Sequence, residues 1–244
     1  QVIGDTAGVF NTGTIGTLTN NGMITSTGDG VYNRSLIDAL ANGGVISGGQ
    51  FGLTNTSGAT INALTNLVGG EISGASDGIR NAGEIGTLTN DGIIDGGQKG
   101  IFNTAGTIGD LANTGTISGG VNAIHSTGAI GNLTNSGTIA GDVTAVLNNG
   151  PIDRLTNSGT ITATGSGNGI GNFGTITLLQ NEAGGVVNGG YAGIWNEAPI
   201  ITLNNDGFGG PGAVEVDSSF EMITTEILEP LLNDDIALVT LQAI

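Results

Sequence analysis

Aliphatic and polar side chains recur along this chain with a period of 22–24 residues. Leucine precedes asparagine by two positions in seven successive copies, the first at Leu18 and the last at Leu155. Two looser copies follow, at Leu179 and Leu203. The repeating asparagines are Asn20, Asn42, Asn66, Asn90, Asn113, Asn135, Asn157, Asn181 and Asn204. So regular a period predicts one supersecondary unit that is stacked on itself about nine times.

Each repeat carries the pattern of short strands. Between Leu111 and Ile117 every second residue belongs to the repeating set, which is the alternation of a strand with one buried face. Ile108 lies three residues before Leu111, so the alternation breaks there and the chain must bend. Each repeat is therefore predicted to contain about three strands joined by tight corners. Stacked strands lie about 4.8 Å apart, so nine repeats would give a rod of roughly 40 Å.

Glycine content separates this fold from helical ones. The chain has 48 glycines in 244 residues, and each glycine in a helix interior costs about 1 kcal/mol relative to alanine. No helical period is visible before residue 213. Because the aliphatic positions remain periodic, the chain is not predicted to be disordered despite its glycine content. We expect an all-β parallel β-helix of about nine rungs.

The repeating asparagines suggest a structural role. An inward asparagine carries two donors and an acceptor oxygen. When stacked at one rung spacing, each amide can bond to the rungs above and below, as asparagine ladders do in cross-β arrays. We expect these residues to hold corners rather than to bind a ligand.

Repeats of the form Asn-x-Gly-x-Ile, which begin at Asn113, Asn135 and Asn157, resemble those of autotransporter passenger domains. The resemblance covers roughly residues 9–204. It implies a right-handed parallel β-helix displayed on the outer surface of Gram-negative bacteria. It implies no catalytic residue, because that family has no universal set.

The two ends of the chain differ from its middle. Residues 1–212 are predicted to form the β-helix, with Ile3 and Val9 already in the pattern. Residues 213–244 lose glycine, gain carboxylates and form a predicted capping or assembly segment, with a short helix at 223–232. An assembly strand is expected at Ile236, Leu238 and Thr240. This segment either caps its own rod or docks on the open first rung of a neighbouring molecule, where unpaired backbone groups form a template.

Charge excludes several classes of partner. The net charge is −17, with only four basic residues. This charge disfavours the binding of nucleic acid, which depends on Lys and Arg, and it equally disfavours binding to anionic membranes. No apolar run approaches the 18 residues of a membrane helix, so membrane insertion is not expected. Large charge of a single sign keeps rods soluble. There is no cysteine, as is often so in secreted bacterial solenoids, and we expect an extracellular or cell-surface location.

Candidate catalytic groups are few. The single histidine, His125, occupies a position that other repeats fill with unrelated residues, so it is not expected to be a catalytic base. Asp29 and Asp77 precede glycine and are interpreted as turn residues; Asp95 and Asp142 are further carboxylates. We expect neither an enzyme nor a cofactor. No calcium-binding repeat motif is present, although acidic loops leave weak Ca²⁺ binding open.

One outward column is rich in aromatic residues. If Ile101 and Asn103 point inward, Phe102 points outward. Equivalent positions in other repeats hold Phe10, Tyr32 and Trp195. Exposed aromatics on a regular face suggest contact with a sister rod or with a sugar ring. The alternative is that a preceding loop covers them.

These features predict a non-enzymatic structural rod. The favoured function is head-to-tail self-assembly into a cell-surface filament or display as an adhesin, with possible lateral contacts and possible binding to carbohydrate or to a host surface. One alternative is a single passenger adhesin that does not polymerise. A second is a polysaccharide lyase or hydrolase, which would need carboxylates such as Asp142 and Asp153 along one groove. A third is ice binding through aligned threonines.

Overall fold

Residues 1–206 fold into a parallel β-solenoid of nine rungs. The structure is a computed structural model and describes residues 1–206. Its strands, three per rung, are β1 (Val2–Gly4), β2 (Ala7–Asn11), β3 (Thr14–Asn20), β4 (Met23–Ser26), β5 (Asp29–Asn33), β6 (Leu36–Asn42), β7 (Val45–Gly48), β8 (Phe51–Asn55), β9 (Thr60–Asn66), β10 (Glu71–Gly74), β11 (Asp77–Asn81), β12 (Glu84–Asn90), β13 (Ile93–Gly96), β14 (Lys99–Asn103), β15 (Thr107–Asn113), β16 (Thr116–Gly119), β17 (Asn122–Ser126), β18 (Ala129–Asn135), β19 (Thr138–Gly141), β20 (Thr144–Asn148), β21 (Ile152–Asn157), β22 (Thr160–Ala163), β23 (Asn168–Asn172), β24 (Ile176–Asn181), β25 (Val186–Asn188), β26 (Ala192–Asn196) and β27 (Ile200–Asn205).

The 27 strands form three nine-stranded sheets, and each rung contributes one strand to each sheet. The first sheet runs from β1 to β25, the second from β2 to β26 and the third from β3 to β27. Successive strands in each sheet pair in parallel, for example β12 with β15 and β15 with β18. The predicted all-β fold with three strands per repeat is confirmed for residues 1–206, in which no helix is present.

The core is a set of aliphatic columns enclosed by the three sheets. Ile94 pairs with Ile117 in the first sheet, and Leu88 pairs with Leu111 in the third. Inward aliphatic residues of rungs two to eight are almost completely buried. Each buried Ile or Leu stabilises the fold by about 1.5–3 kcal/mol relative to an exposed one. Identical residues stacked at one spacing can share a rotamer, so the column packs without gaps.

Glycine makes the corner between the first and second sheets. At Gly96 a Cβ atom would lie 1.8 Å from the carbonyl oxygen of Lys99, so a side chain there would displace the backbone. Corners between the third and first sheets also bond from rung to rung, as in the bond from Ser136 N to Asn113 O at 2.9 Å. Backbone pairing therefore continues around much of each rung, and the corners as well as the strands fix the stacking.

The register corrects two predictions. Val2, rather than Ile3, pairs with the core residue Ile24, and Ile3 lies on the outer side at 69% exposure. Asp29 and Asp77 were interpreted as turn residues but are the first residues of β5 and β11. Gly30, which follows Asp29, has no positive φ, so the pair makes no turn. Predictions for 223–232 and for Ile236, Leu238 and Thr240 lie outside the described residues, as does the boundary at residue 212.

Candidate functional site

The first asparagine ladder runs along the corner where the third sheet ends. From Asn20 onward, Nδ2 of each asparagine donates to Oδ1 of the next at 2.7–2.8 Å. Nδ2 of Asn135 also donates to the carbonyl oxygens of Gly137 and Thr160, both at 3.2 Å. Because each Nδ2 faces only acceptors, the amide orientation follows from the bonding pattern. The ladder therefore satisfies buried amides and ties adjacent rungs together.

The last member of this ladder differs from the prediction. Asn181 pairs with Asn205, and its Nδ2 donates to Oδ1 of Asn205 at 2.8 Å. Asn204 pairs instead with Gln180 on the outer side. Leu203 pairs with Leu179, so the final Leu-x-Asn copy is Leu203-Asn204-Asn205. The assignment of Asn204 was wrong by one residue, and in a strand a slip of one residue moves a side chain to the opposite face.

Sequence reasoning did not identify a second ladder. It runs along the end of the second sheet through Asn11, Asn33, Asn55, Asn81, Asn103, Ser126, Asn148, Asn172 and Asn196. Most links have the same Nδ2–Oδ1 geometry, such as 2.8 Å from Asn55 to Asn81. At Ser126 the ladder changes: Asn103 donates to Ser126 Oγ at 3.1 Å, and that hydroxyl donates to the carbonyl oxygen of Gly128. The second ladder is therefore interrupted in the sixth rung.

Both ends of the described rod present strands that pair on one side only. Strands β1, β2 and β3 lie at one edge of the three sheets, and β25, β26 and β27 lie at the other edge within residues 1–206. At the first edge the inward residues Val9, Ile15 and Leu18 are only partly buried, although they pack on the core. Unpaired strand edges are templates for further strands. The first rung therefore offers both backbone groups and apolar surface.

The ladders give the rod a direction. Oδ1 of Asn11 and of Asn20 accept bonds from the backbone of Gly13 and Gly22, and neither accepts from another asparagine. At the far edge, Oδ1 of Asn196 and of Asn205 accept from the preceding rung. Their Nδ2 groups donate to no residue within 1–206. Each ladder thus begins with an acceptor that can take another bond and ends with an amide donor.

The predicted aromatic column lies on the outer side of the second sheet. The cross-rung register places Phe10, Tyr32, Thr54, Arg80, Phe102, His125, Leu147, Gly171 and Trp195 in line. Phe10 and Tyr32 stack with ring centroids 5.2 Å apart and planes inclined by 11°. Phe10 is 53% exposed. These rings therefore form an accessible aromatic surface at one end of the rod.

A second stack lies farther along this column. The Arg80 guanidinium lies 4.9 Å from the centroid of Phe51 and 5.9 Å from that of Phe102. Lys99 Nζ lies 4.6 Å from the Phe102 centroid, and Phe102 stacks on His125 at 4.9 Å. Cations over aromatic faces attract the ring quadrupole. Two of the few basic residues are therefore held against rings.

Trp195 stands apart from both stacks. Gly171 precedes it in the column and Tyr191 flanks it, with ring centroids 5.3 Å apart and planes inclined by 55°. Trp195 Nε1 donates to Glu197 Oε1 at 2.8 Å. The four predicted aromatic residues therefore share one column but fall into three separate groups.

Two buried carboxylates lie beside this column. Burial raises the pKa of Asp29, and the neighbouring Thr54 hydroxyl and Arg80 guanidinium lower it in part. Burial also raises the pKa of Asp77, against the opposing effects of Lys99, Arg80 and Ser76. Lys99 Nζ lies 3.9 Å from Asp77 Oδ1. Because desolvation exceeds the attraction of the cations in both cases, the charged forms are disfavoured.

The surroundings of His125 lower its pKa and so disfavour its charged form. Burial lowers its pKa most, and Lys99 acts in the same direction, while the bond with Asn149 raises it. His125 Nε2 lies 3.1 Å from Asn149 Oδ1, and the buried Nδ1 has no hydrogen-bond partner within residues 1–206. The charged group that acts on its pKa is the Lys99 cation rather than a carboxylate. The arrangement lacks the carboxylate that commonly orients a catalytic imidazole.

Carboxylates on the other faces bond to hydroxyls and amides. Asp95 accepts from Ser118, and Asp142 accepts from Thr164 at 2.7 Å. Within residues 1–206 no three His, Cys, Asp or Glu side chains gather as metal ligands would. The same residues include no helix with the length and apolarity needed to cross a membrane.

Comparisons with protein-family models, with curated proteins and with solved structures give no match to this chain. The functional argument therefore depends on the chain's own residues.

Proposed function

We propose that the protein is an extracellular, non-enzymatic structural rod whose molecules join head to tail into a filament. The polarity of the two asparagine ladders carries this proposal. Within residues 1–206, Asn196 and Asn205 end their ladders with donors, and Asn11 and Asn20 begin them with acceptors. A second copy placed on the same axis would continue both ladders across the junction. A head-to-head contact would oppose acceptor to acceptor.

The backbone supports the same geometry. The first rung and the ninth, which is the last among residues 1–206, each have three strands in the same order, so a copy translated along the axis can pair strand with strand. The partly exposed Val9, Ile15 and Leu18 would be covered at such a junction. This contact joins different surfaces and does not close on itself, so repetition gives an open filament.

Composition supports an extracellular structural role. The chain has no cysteine, four basic residues and a net charge of −17, and exposed carboxylates such as Asp110 and Asp142 lie along the sides of the rod. Large charge of a single sign keeps the sides of neighbouring rods apart. Display on a bacterial surface, as the resemblance to autotransporter passengers implies, belongs to the same proposal.

One pair of variants on strand β3 tests the junction. Ile15 points inward and pairs with the core residue Ile37, whereas Thr17 is exposed and pairs with Ala39. Ile15→Lys would place a charge where the neighbouring rung must dock, while the lysine of a single rod can still reach solvent. Negative-stain microscopy and sedimentation should show filaments for the unmodified protein and for Thr17→Lys, and short rods for Ile15→Lys.

Folding of each variant is checked by the β-sheet signal in circular dichroism. Single rods of the unmodified protein at every concentration would contradict head-to-tail assembly, as would Ile15→Lys filaments of normal length. Deleting 233–244 then distinguishes two junctions. If filaments disappear, the C-terminal segment docks on the neighbouring molecule; if they persist, rung-on-rung contact suffices and that form of docking is refuted.

A further inference from the structure

The outer column of the second sheet is interrupted at Thr54. Tyr32 precedes Thr54 in the register and Arg80 follows it. Tyr32 stacks only on Phe10, and Arg80 lies against Phe51 and Phe102. Tyr32 and Arg80 are thus two rungs apart, roughly 9.6 Å at about 4.8 Å per rung. Two van der Waals contacts of about 3.5–4.0 Å fit within that spacing, and the column places only the small Thr54 side chain between Tyr32 and Arg80.

The gap opens into a groove with both apolar and polar walls. Phe10, Tyr32 and Phe51 supply rings, and Asp29, Thr54, Gln50, Arg34 and Arg80 supply polar groups. The open groove has a volume of about 660 Å³, which lies within the range of small-ligand pockets. We call this groove, lined by those eight residues, the Thr54 slot. It combines an aromatic face with donors and acceptors at its base.

The Thr54 hydroxyl in the slot is buried without a hydrogen-bond partner of good geometry, and the buried Asp29 carboxylate lies beside it. Thr54 is 8% exposed, and its Oγ1 makes no hydrogen bond of good geometry within residues 1–206. Asp29 is 7% exposed and has no ion-pair partner within 4.0 Å among the same residues. Buried polar groups without partners are uncommon and are costly to the fold. Rotation of Thr54 about χ1 between staggered positions can turn its hydroxyl toward a bound molecule.

We propose that the Thr54 slot binds a neutral pyranose sugar. One face of the ring, with its C–H groups, would lie on Tyr32. Hydroxyl groups of the sugar would donate to the Asp29 carboxylate. The guanidinium groups of Arg34 and Arg80 would donate to hydroxyl oxygens of the sugar. Hydroxyl groups both donate and accept, so one ring can satisfy acids and bases together.

Charge favours a neutral sugar over an acidic one. The carboxylates of Asp5 and Asp29 line the groove, and the chain as a whole carries a charge of −17. A carboxylate on the ligand would meet these charges as well as Arg34 and Arg80. A flat aromatic ligand would fill the gap but would leave the Thr54 hydroxyl without a partner. The proposal does not rest on filament formation, because Tyr32, Thr54 and Arg80 lie on the outer side of the second sheet, although Phe10 and Asp5 of the slot belong to the first rung.

Saturation-transfer NMR tests the proposal on the full chain, whether it is assembled or single. The probes are glucose, galactose, mannose and N-acetylglucosamine, with glucuronate as the acidic comparison. Thr54→Phe fills the gap with a ring that the same column already accepts at Phe10 and Phe102. Leu147→Phe makes the same addition four rungs away in that column and serves as the control. Asp29→Asn removes the charge, and asparagine occupies the equivalent position at Asn122 and Asn168.

At least one neutral sugar should give saturation transfer, strongest at protons on one ring face. Thr54→Phe should abolish the signal, and Leu147→Phe should leave it unchanged. Asp29→Asn should weaken binding by about tenfold, because a bond to a charged acceptor is lost. Absence of transfer to every neutral sugar would overturn the proposal. Equal transfer to Thr54→Phe, or transfer to glucuronate alone, would also overturn it.

Discussion

Inner and outer columns of the same strands follow different rules. In the second sheet the inner column contains only aliphatic residues, from Val9 and Val31 through Ile101 to Ile194. One residue farther along, the outer column changes from Phe10 to Thr54, Arg80, Gly171 and Trp195. Both columns lie on the same strands and therefore share one backbone conformation.

The contrast separates the residues that specify the fold from those that can carry function. An inner side chain contacts the same neighbours in every rung, so each position has nearly the same volume to fill. Outer side chains contact solvent and one another, and their identities set local chemistry. In this rod the Thr54 slot exists because one outer residue is small where its neighbours are large.

The largest loss of stability is expected for a substitution of Asn135 on β18. Its side chain points inward, whereas that of Asn132 on the same strand points outward. Asn135→Ala removes bonds to Asn157, Gly137 and Thr160 and leaves Asn113 without one acceptor. Several buried groups lose partners, so the free energy of unfolding should fall by about 3 kcal/mol or more. Denaturant unfolding followed by circular dichroism measures the change.

Asn132→Ala is the matched control on the same strand. It removes one exposed bond, to Asp110 at 2.7 Å, and surface changes of this kind usually alter stability by less than about 0.5 kcal/mol. Equal losses in the two variants would mean that the inner ladder contributes no more than the outer face.

The break in the second ladder offers an intermediate test. Asparagine occupies the position equivalent to Ser126 in the rungs on both sides, at Asn103 and Asn148. Ser126→Asn should restore the link to Asn148 and raise the free energy of unfolding by about 0.5–1.5 kcal/mol, the net contribution of one hydrogen bond. A lower denaturation midpoint would show that the sixth rung cannot accommodate the amide, and that inner positions are not equivalent.

The smallest expected effect depends on pH and concerns the outer side. Burial raises the pKa of Asp77 in the folded protein, so ionisation destabilises the fold once the pH exceeds the unfolded-state pKa, near 3.9. The loss of folding free energy caused by this ionisation reaches its full size above the folded-state pKa. It is absent below the unfolded-state pKa. Asp77→Asn should therefore raise the melting temperature at pH 7, and the gain should shrink as the pH falls toward 4.

Asparagine already occupies the equivalent position at Asn122 and Asn168, so Asp77→Asn changes charge with little change in shape. The variant also loses the Lys99 contact at 3.9 Å, which is longer than a strong ion pair. A loss of stability at pH 7 would show that this contact outweighs desolvation.

The sequence predicted the rungs because the core repeats itself. Leu-x-Asn marks the third sheet in each copy, and one residue type suffices to recognise it. The second ladder uses the same signal with varied aliphatic residues, such as Ile79-Arg80-Asn81 and Val146-Leu147-Asn148. Its interval reaches 26 residues between Asn55 and Asn81, and Ser126 interrupts it. A search for any aliphatic residue followed by x-Asn would have found it.

The Thr54 slot was not predictable from the pattern. Asp29 precedes glycine, as turn residues often do, yet it begins β5 and is buried beside the column. Phe51 begins β8 in the same register as Asp29 and Asp77. Alternation breaks at these strand starts, so the sequence does not indicate which face they occupy. The contact of Arg80 with Phe51 follows only from that register.

Electron cryomicroscopy of the assembled protein tests the central claim most directly, because head-to-tail stacking fixes the direction and the period of the strands. Nine rungs of about 4.8 Å give a subunit repeat of roughly 43 Å or slightly more. The power spectrum should contain a layer line at about 4.8 Å along the filament axis together with that repeat. A 4.8 Å spacing perpendicular to the axis, or rods that never join, would contradict the account.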